Sequence, residues 1–531
     1  MYDFILTNCR VIDGTGSPWQ REDIAVKDGK IARIGKLVQQ GNGAQEGAAN
    51  ALEIIDCKDH YVAPGFIDIH SHSDVTLMDY GRNESRILQG VTTEVGANCG
   101  ISAAPASEDP ERRRQLMEYV GDLEYSWRSM DDYLKYMDGV QPSTNFCMAA
   151  GHGTLRIAAM GFDDREPTEK ELDIMKGLLR ESLQEGAFCM SSGLIYPPGV
   201  FSKAPEMKEL CKILPEYGAY YCTHMRNEGA KLIEALEEAI DVARTSGAPL
   251  LVSHHKALRE ENWRSLCYKS TEMIEKAREE GIDVRCDQYP YIATATTLDS
   301  NIPSWAFAGG MEKLFERLRN PETREKLKKQ ANDYLTGRWQ NIYVSYVQSE
   351  KYAWTVGKHM MEIAEREGKD PADACFDLVL ETKSRVGEIN YAMCEDDVEY
   401  IMKKPYVIVG SDGNAYSLEF DGQPHPRAYG TFPRVIAHYC RDRKLFPLEE
   451  AIRKMTSMPA DRIGLRDRGL IKEGFAADLV VFDFDTIEDT PTFEKPKAAC
   501  RGIERVYVNG TLTALDGVHT GAKNGKVLRK K

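Results

Sequence analysis

The chain has 531 residues, 42% of them hydrophobic, and 68 Lys+Arg against 83 Asp+Glu give a formal net charge of −15. This is ordinary soluble composition with enough apolar material for a large core; it disfavours a nucleic-acid or membrane-surface binder, which wants a basic face, and its length predicts three or four domains at about 150 residues each. Thirteen cysteines without framework spacing, no basic and apolar leader in MYDFILTNCR, and no apolar run near a bilayer span together predict a reduced, cytoplasmic protein.

The first sixty residues read as short strands. FILTNCRVID, DIAVKDGKIARIG and ALEIID alternate apolar and polar residues, with Asp13-Gly14 and Asp28-Gly29 at expected hairpin turns and GNGAQEGAAN as a loop. The middle changes character: eight apolar runs alternate with helical patterns. They are Phe66–Ile69, Thr92–Asn98, Phe146–Gly151, Ala187–Ser192, Ala219–Thr223, Leu250–Ser253, Asp283–Asp287 and Val407–Ser411. One helix opens on the capping-box pattern Thr168–Glu171 and buries Leu172, Met175, Leu179 and Leu183; another carries Leu232, Leu236, Ala239 and Ala243 on one face. Eight βα units predict an α/β fold, a TIM-type (β/α)8 barrel, although a doubly wound sheet has similar local patterns.

About 120 residues separate the last two runs. An insertion is expected there over about 298–350, containing the charge-dense MEKLFERLRNPETREKLKKQ and packing over the barrel mouth or forming a small subdomain. The C-terminal ADLVVFDF and RVYVNGTLTALDG, the latter with Asn509-Gly510 as a hairpin signal, resume the texture of the N-terminus. The expected division is a β-sandwich built from 1–62 and 468–531 around a barrel of 63–467, with the KVLRKK tail solvated.

Barrel enzymes carry their chemistry at the C-terminal strand ends. The first run ends in His70-Ser71-His72, two residues apart and so able to converge on one ion. The second ends in Asn98-Cys99-Gly100, the fifth in Thr223-His224, the sixth in Ser253-His254-His255 and the eighth in Ser411-Asp412-Gly413. Only 11 histidines occur in the chain, yet four of these fall at strand ends in line with a cysteine and an aspartate, the ligand set of zinc. A structural zinc site more often uses local Cys-x-x-Cys loops, and this sequence has none.

The run APGFIDIHSHSD with Ser411-Asp412-Gly413 resembles the metal-dependent amidohydrolase superfamily. GVTTEVGANCGIS, GAFCMSSGLIYPPG, THMRNEG, VSHHK, DQYPY, HPRAYGTFPRV and RGLIKEGFAADLVVFD narrow the resemblance to the D-aminoacylase (N-acyl-D-amino-acid deacylase) family, in collinear order over nearly the whole chain. The resemblance implies a tight zinc on Cys99, His224 and His254, and a second, often weaker site on His70, His72 and Asp412. Cys99 stands where many amidohydrolases bridge two metals with a carboxylated lysine, which separates the chain from hydantoinase-like relatives. Asp412 is implied as the general base and acid, with Tyr196, Lys256, Tyr289 and Arg427 contacting an N-acyl-D-amino acid. Ala295 stands where the family pattern has a hydroxyl, with Thr294 or Thr296 as the expected substitute.

The implied activity is zinc-dependent hydrolysis of a small-molecule N-acyl-D-amino acid to a carboxylate and a free D-amino acid. The alternatives are a D-dipeptidase or an N-acyl-D-glutamate or D-aspartate deacylase, and behind them an inactive scaffold, against which retention of all six ligands argues. Asp68 is expected to orient the nearby histidines, His255 and His152 to serve structural roles or line the mouth, and His425 to shape the Arg427 loop. His60, His359, His438 and His519 lie off the strand ends and are read as ordinary.

Overall fold

A computed structural model describes residues 1–38, 50–121 and 126–531, so GNGAQEGAAN lies outside the described residues except for Asn50. Each apolar run yields a strand: Phe66–Asp68 (β1), Val91–Gly96 (β2), Asn145–Gly151 (β3), Cys189–Gly193 (β4), Tyr220–His224 (β5), Leu250–Val252 (β6), Val284–Gln288 (β7) and Val407–Val409 (β8). They pair in parallel in strict sequence order from β1 to β8. A doubly wound sheet reverses its order at a switch point; this one does not. Beyond the strands the ends meet, where the Asp412 amide donates to the His70 carbonyl (2.8 Å) and the His72 amide to the Gly413 carbonyl (2.9 Å). The result is a nearly closed (β/α)8 barrel.

The helices form for the reasons their sequences suggest. Thr168 Oγ1 accepts the Glu171 amide (3.3 Å) while Glu171 Oε2 accepts the Thr168 amide (2.8 Å), and the helix Glu169–Gln184 buries Met175, Leu179 and Leu183 with Leu172 at the margin. The helix Leu232–Ser246 buries Leu232, Leu236, Ala239 and Ala243. Among the described residues no helix is long and apolar enough to cross a membrane.

Nine strands from the two termini form a second sheet. The strands Tyr2–Val11 and Ile503–Val508 stand three places apart along its hydrogen-bonded path, about 14 Å if flat, yet the Phe4 and Tyr507 rings stack at 4.8 Å. The sheet therefore curls over its own apolar residues. Asp28-Gly29 and Asn509-Gly510 make two-residue hairpins with both φ angles positive. Asp13-Gly14 instead opens a longer loop, since Val11 pairs with Gln20. The C-terminal tail, expected in solvent, adds to the barrel: Phe146 donates to Lys526, Leu528 to Phe146 and Lys530 to Gly186, and Val527 is buried. The basic composition of the tail conceals this strand-like edge.

The insertion runs on well past residue 350. The strands Thr294–Thr297, Ile342–Val347 and Val386–Asn390 form an antiparallel sheet over a separate apolar core containing Leu314, Leu327, Ile342, Phe376 and Val379. Charge density marks only its early helices; the later helix Pro371–Thr382 is apolar and resembles barrel packing in sequence.

Two stability predictions follow from buried charge. Asp478 joins the terminal sheet to the barrel, accepting from Arg468 (2.6 Å), the Asn509 amide (2.6 Å) and Asn145 of β3 (3.1 Å). Asp478→Ala strands a buried guanidinium and is expected to cost about 3–5 kcal/mol in denaturant unfolding; a loss below about 1 kcal/mol counts against the ion pair as a tether. Within the insertion, burial pushes the Glu388 carboxyl up to about 8, against a lowering contribution from Asn301. A proton held when folded but lost when unfolded stabilises below the usual carboxylate pKa, and that stabilisation disappears as pH rises through about 8. Glu388→Gln should therefore melt increasingly above wild type between pH 5 and 9, whereas parallel melting curves would refute the protonated carboxyl.

Candidate metal centre and active site

The strand-end histidines, Cys99 and Asp412 converge at the C-terminal mouth of the barrel. Cys99 Sγ lies 3.4 Å from His70 Nε2 and 3.4 Å from His254 Nε2. Asp412 Oδ1 lies 2.9 Å from His72 Nε2 and 3.4 Å from His70 Nε2. Two groups emerge, His70, His72, Cys99 and Asp412 in one and Cys99, His224 and His254 in the other, with the ligand atoms of each within 4.8 Å. Cys99 is common to both.

This donor set fits zinc. Ligands at about 2.1 and 2.3 Å from one ion, at a tetrahedral angle, lie about 3.6 Å apart, close to the 3.4 Å contacts of Cys99. Both ring nitrogens of His224 are buried without a hydrogen-bond partner, an arrangement that a ligand would relieve. Electrostatics point the same way. Burial pushes the Cys99 thiol up, but His70, His254 and His224 outweigh it and hold the thiol well below its ordinary value. Burial also raises Asp412, and Arg427 with His70 and His254 overcomes it and keeps the carboxyl well below the usual range. A thiolate and a carboxylate within 4.8 Å of each other in a buried site require positive charge beside them, from protons or from a metal.

The backbone that delivers these groups is strained. Cys99 (φ 54°), His254 (φ 34°) and Asp412 (φ 52°) all occupy the left-handed region. The Cys99 loop is held down by Asp74, which accepts the Ala97 and Ala103 amides (3.1 Å each), and by Ser191 of β4, which bonds the Ala97 carbonyl (2.6 Å) and Gly100 amide (3.2 Å). Gly193 permits the approach: a Cβ there would fall 2.1 Å from the Cys99 carbonyl oxygen.

Two carboxylates that sequence reasoning passed over orient the histidines. Asp287, at the end of β7, contacts His70 Nδ1 (3.0 and 3.2 Å) and accepts the His254 amide (2.8 Å). Glu228 lies 3.0 Å from His254 Nδ1 and 2.7 Å from Lys256 Nζ. Both stand inside quoted motifs, DQYPY and THMRNEG, as acidic residues near strand ends. Asp68, expected to orient the histidines, instead accepts the Ser411 amide (2.9 Å), the His70 amide (3.2 Å) and the Ser411 hydroxyl, with Arg86 Nε 3.1 Å away. Its short side chain reaches the backbone of its own turn, not the rings.

Around this cluster lie the remaining expected residues. Arg427 Nη1 is 2.7 Å from Asp412 Oδ2 without a well-aligned hydrogen bond, Nη2 donates to the Ala295 carbonyl (3.1 Å), and the guanidinium sits 4.7 Å over the Tyr289 ring. Lys256 is buried, 5.8 Å from the same ring centre, with Glu228, His254 Nδ1 (2.8 Å) and the His254 carbonyl (3.0 Å) about its ammonium. Tyr196 packs edge-on to His224 at 4.9 Å and accepts from Thr296 Oγ1 (3.2 Å), so the insertion reaches the site through Ala295 and Thr296.

His425 ties the Arg427 amide (3.0 Å) to the Ala293 carbonyl (3.0 Å). His255 bonds Ser270 (2.9 Å) and His152 pairs with Glu206 (2.7 Å), both outside the cluster. His60, His359, His438 and His519 also sit elsewhere, beside Glu504, Glu362, Glu395 and Ser143.

Known proteins are similar to this chain over its whole length. The model of the amidohydrolase family matches residues 53–514. A D-aminoacylase of Alcaligenes xylosoxydans xylosoxydans is 36% identical over 530 residues, covering 100% of this chain and 98% of the relative. An N-acyl-D-glutamate deacylase from Bordetella bronchiseptica, solved with zinc and a phosphonate mimic of the tetrahedral intermediate, superposes with a TM-score of 0.83 at 33% identity over 99% of both chains. A D-aminoacylase structure with a binuclear metal centre, described by one-metal activation and second-metal attenuation, gives 0.82 at 35% over 100% of both. With a family model spanning most of its length and full-length relatives above 30% identity, the chain belongs to the amidohydrolase family.

Proposed function

We propose that this protein hydrolyses the amide bond of N-acyl-D-amino acids, releasing a carboxylate and a free D-amino acid. The observation that carries the reading is the convergence of Cys99, His224, His254, His70, His72 and Asp412 beside Arg427 at the barrel mouth. Full-length similarity to deacylases of D-amino acids supports the substrate class. Cys99, His224 and His254 would hold a tight zinc, and His70, His72 and Asp412 would hold a second, weaker metal. Bound zinc polarises the amide carbonyl and lowers the pKa of water to about 7.

The chain's own residues do the rest. Asp412, held ionised by Arg427 and the neighbouring imidazoles, accepts the proton of the attacking water and returns it to the departing amine nitrogen. Arg427 binds the substrate carboxylate, its Nη1 lacking an aligned acceptor within the protein. Tyr289 is flanked by the two cations Arg427 and Lys256. Thr296 bonds Tyr196 beside His224, and the strand Thr294–Thr297 bears no charged side chain, which favours neutral substrate side chains over the glutamate or aspartate alternatives. Thirteen free cysteines support a cytoplasmic location.

Zinc-loaded enzyme given N-acetyl-D- and N-acetyl-L-methionine should turn over the D form, and Asp412→Asn should lower kcat at least about 100-fold. Turnover of the L form alone, or full activity of the variant, overturns the reading. Arg427→Met should reduce kcat/KM for the acyl-D-amino acid by about 100-fold but leave the corresponding C-terminal amide far less affected. Equal losses on both substrates would remove Arg427 from carboxylate recognition.

A further inference from the structure

At the end of the barrel opposite the active site the charge balance reverses. An open cavity of about 590 Å³ lies there, between the segments that lead into β7 and β8, the helices after β8 and the terminal sheet. Its walls carry six cationic side chains, Arg278, Arg285, Arg453, Arg466, Arg468 and Lys472, against one acidic side chain, Asp461, in a chain of net charge −15. A concavity lined by one sign of charge focuses the field and concentrates counter-ions. Its volume falls in the ordinary range of small-molecule sites, about 300–1,000 Å³.

The six cations divide into two sets. Three are braced by carboxylates. Arg453 forks onto Glu450 (2.7 and 2.8 Å) and donates to the Pro405 carbonyl (3.0 Å). Arg285 donates to Asp461 (2.7 Å) and the Met458 carbonyl (3.2 Å), and buried Arg468 to Asp478 (2.6 Å) and Asp467 (3.2 Å). The other three are not neutralised. Arg278 donates to the Val284 carbonyl and stands 5.3 Å from the Tyr406 ring centre, while Lys472 stands 5.2 Å from that of Phe475. Among the described residues neither has a carboxylate within 4 Å. Arg466 comes within only 3.9 Å of Asp461, which Arg285 already holds.

We propose that this cavity binds a small, multivalent, phosphate-bearing anion, held by Arg278, Arg466 and Lys472 with Arg285 and Arg453 as its braced wall. A row of cations along one helix would be a solvated face. These three come instead from the helix before β7, from beyond the helix Ser457–Ile463 and from the turn before Phe475, and the fold brings them to one concavity. Guanidinium forks match the oxygens of a phosphoryl group, and the lysine adds a compact point charge. Arg278 belongs to the barrel, whereas the turn that carries Lys472 is bonded to the terminal sheet by the Ile31 amide on the Phe475 carbonyl (2.9 Å). The anion therefore clamps barrel and sheet together, remote from the metal centre.

Equilibrium dialysis of the full-length, zinc-loaded enzyme against radiolabelled inorganic pyrophosphate, and separately against radiolabelled ADP, tests the site. About one equivalent per chain is expected, with binding that weakens as salt rises from about 0.05 to about 0.5 M. Arg278 and Lys472 are exposed, so replacing both by glutamine leaves the fold and the hydrolytic activity intact. Arg278→Gln with Lys472→Gln should weaken binding at least about 10-fold, and Arg278→Lys with Lys472→Arg should restore most of it. Equal affinity for the two probes assigns recognition to the phosphoryl groups alone, whereas tighter binding of ADP adds a nucleoside contact with the apolar lining. Arg427→Met separates this cavity from anion capture at the catalytic site. Binding that survives the double glutamine variant, or that disappears in Arg427→Met, overturns the proposal, as does failure of both probes to bind at low salt.

Discussion

The active-site geometry depends on closure of the barrel between β1 and β8. Asp68 carries that closure, because its carboxylate spans from the His70 amide in its own turn to the amide and hydroxyl of Ser411 beyond β8. Buried Arg86 stands behind it, against Asp68 and Glu94 on one side and the Ala428 carbonyl (2.7 Å) on the other. The backbone bonds from Asp412 to His70 and from His72 to Gly413 then set both metal-facing segments in register. Open the seam and Asp412 leaves His70 and His72, and Arg427 loses the carboxylate it faces. A purely local feature of β1 thus fixes contacts between residues 340 positions apart in sequence.

Closure alone does not place every donor. Cys99, His254 and Asp412 reach the cluster from left-handed backbone just past their strands, where a Cβ is strained. Such conformations persist only when their surroundings over-determine them. Here Asp74 and Ser191 clamp the Cys99 loop, Asp287 accepts the His254 amide, and the seam holds Asp412. Asp74 and Ser191 spend these bonds on backbone, while Asp287 also holds the His70 ring at Nδ1 and leaves His70 Nε2 facing the cluster. Rigidity at this mouth suits a site whose donors must lie within a few tenths of an ångström of tetrahedral spacing.

The barrel was legible because its strands are buried on both faces and read as unbroken apolar runs, each bounded by a helical pattern. Residues that bear chemistry at strand ends were legible for the same reason: position along a strand is a sequence property. What escaped are contacts across the fold. Asp287 and Glu228 look like ordinary acidic residues until β7 and the turn after β5 bring them against His70 and His254. Asp68 was assigned to the rings by strand alternation, but its reach is set by the turn that follows. The tail's basic composition hid its edge pairing, and the later part of the insertion was masked by helices as apolar as those of the barrel.

Charge shows most clearly how local arrangement overrides bulk composition. A net −15 repels an anionic substrate at long range, yet solvent screening reduces that field beyond about 10 Å, while buried charges act through a poorly screened medium. Arg427 and Lys256 approach the same Tyr289 ring within 5.8 Å, and each faces one carboxylate, Asp412 or Glu228. Those carboxylates neutralise the cations in the free enzyme, which keeps the pocket from storing uncompensated charge. They also face the imidazoles of the metal cluster, Asp412 those of His70 and His72 and Glu228 that of His254, so the same two anions serve both the cations beside Tyr289 and the histidines.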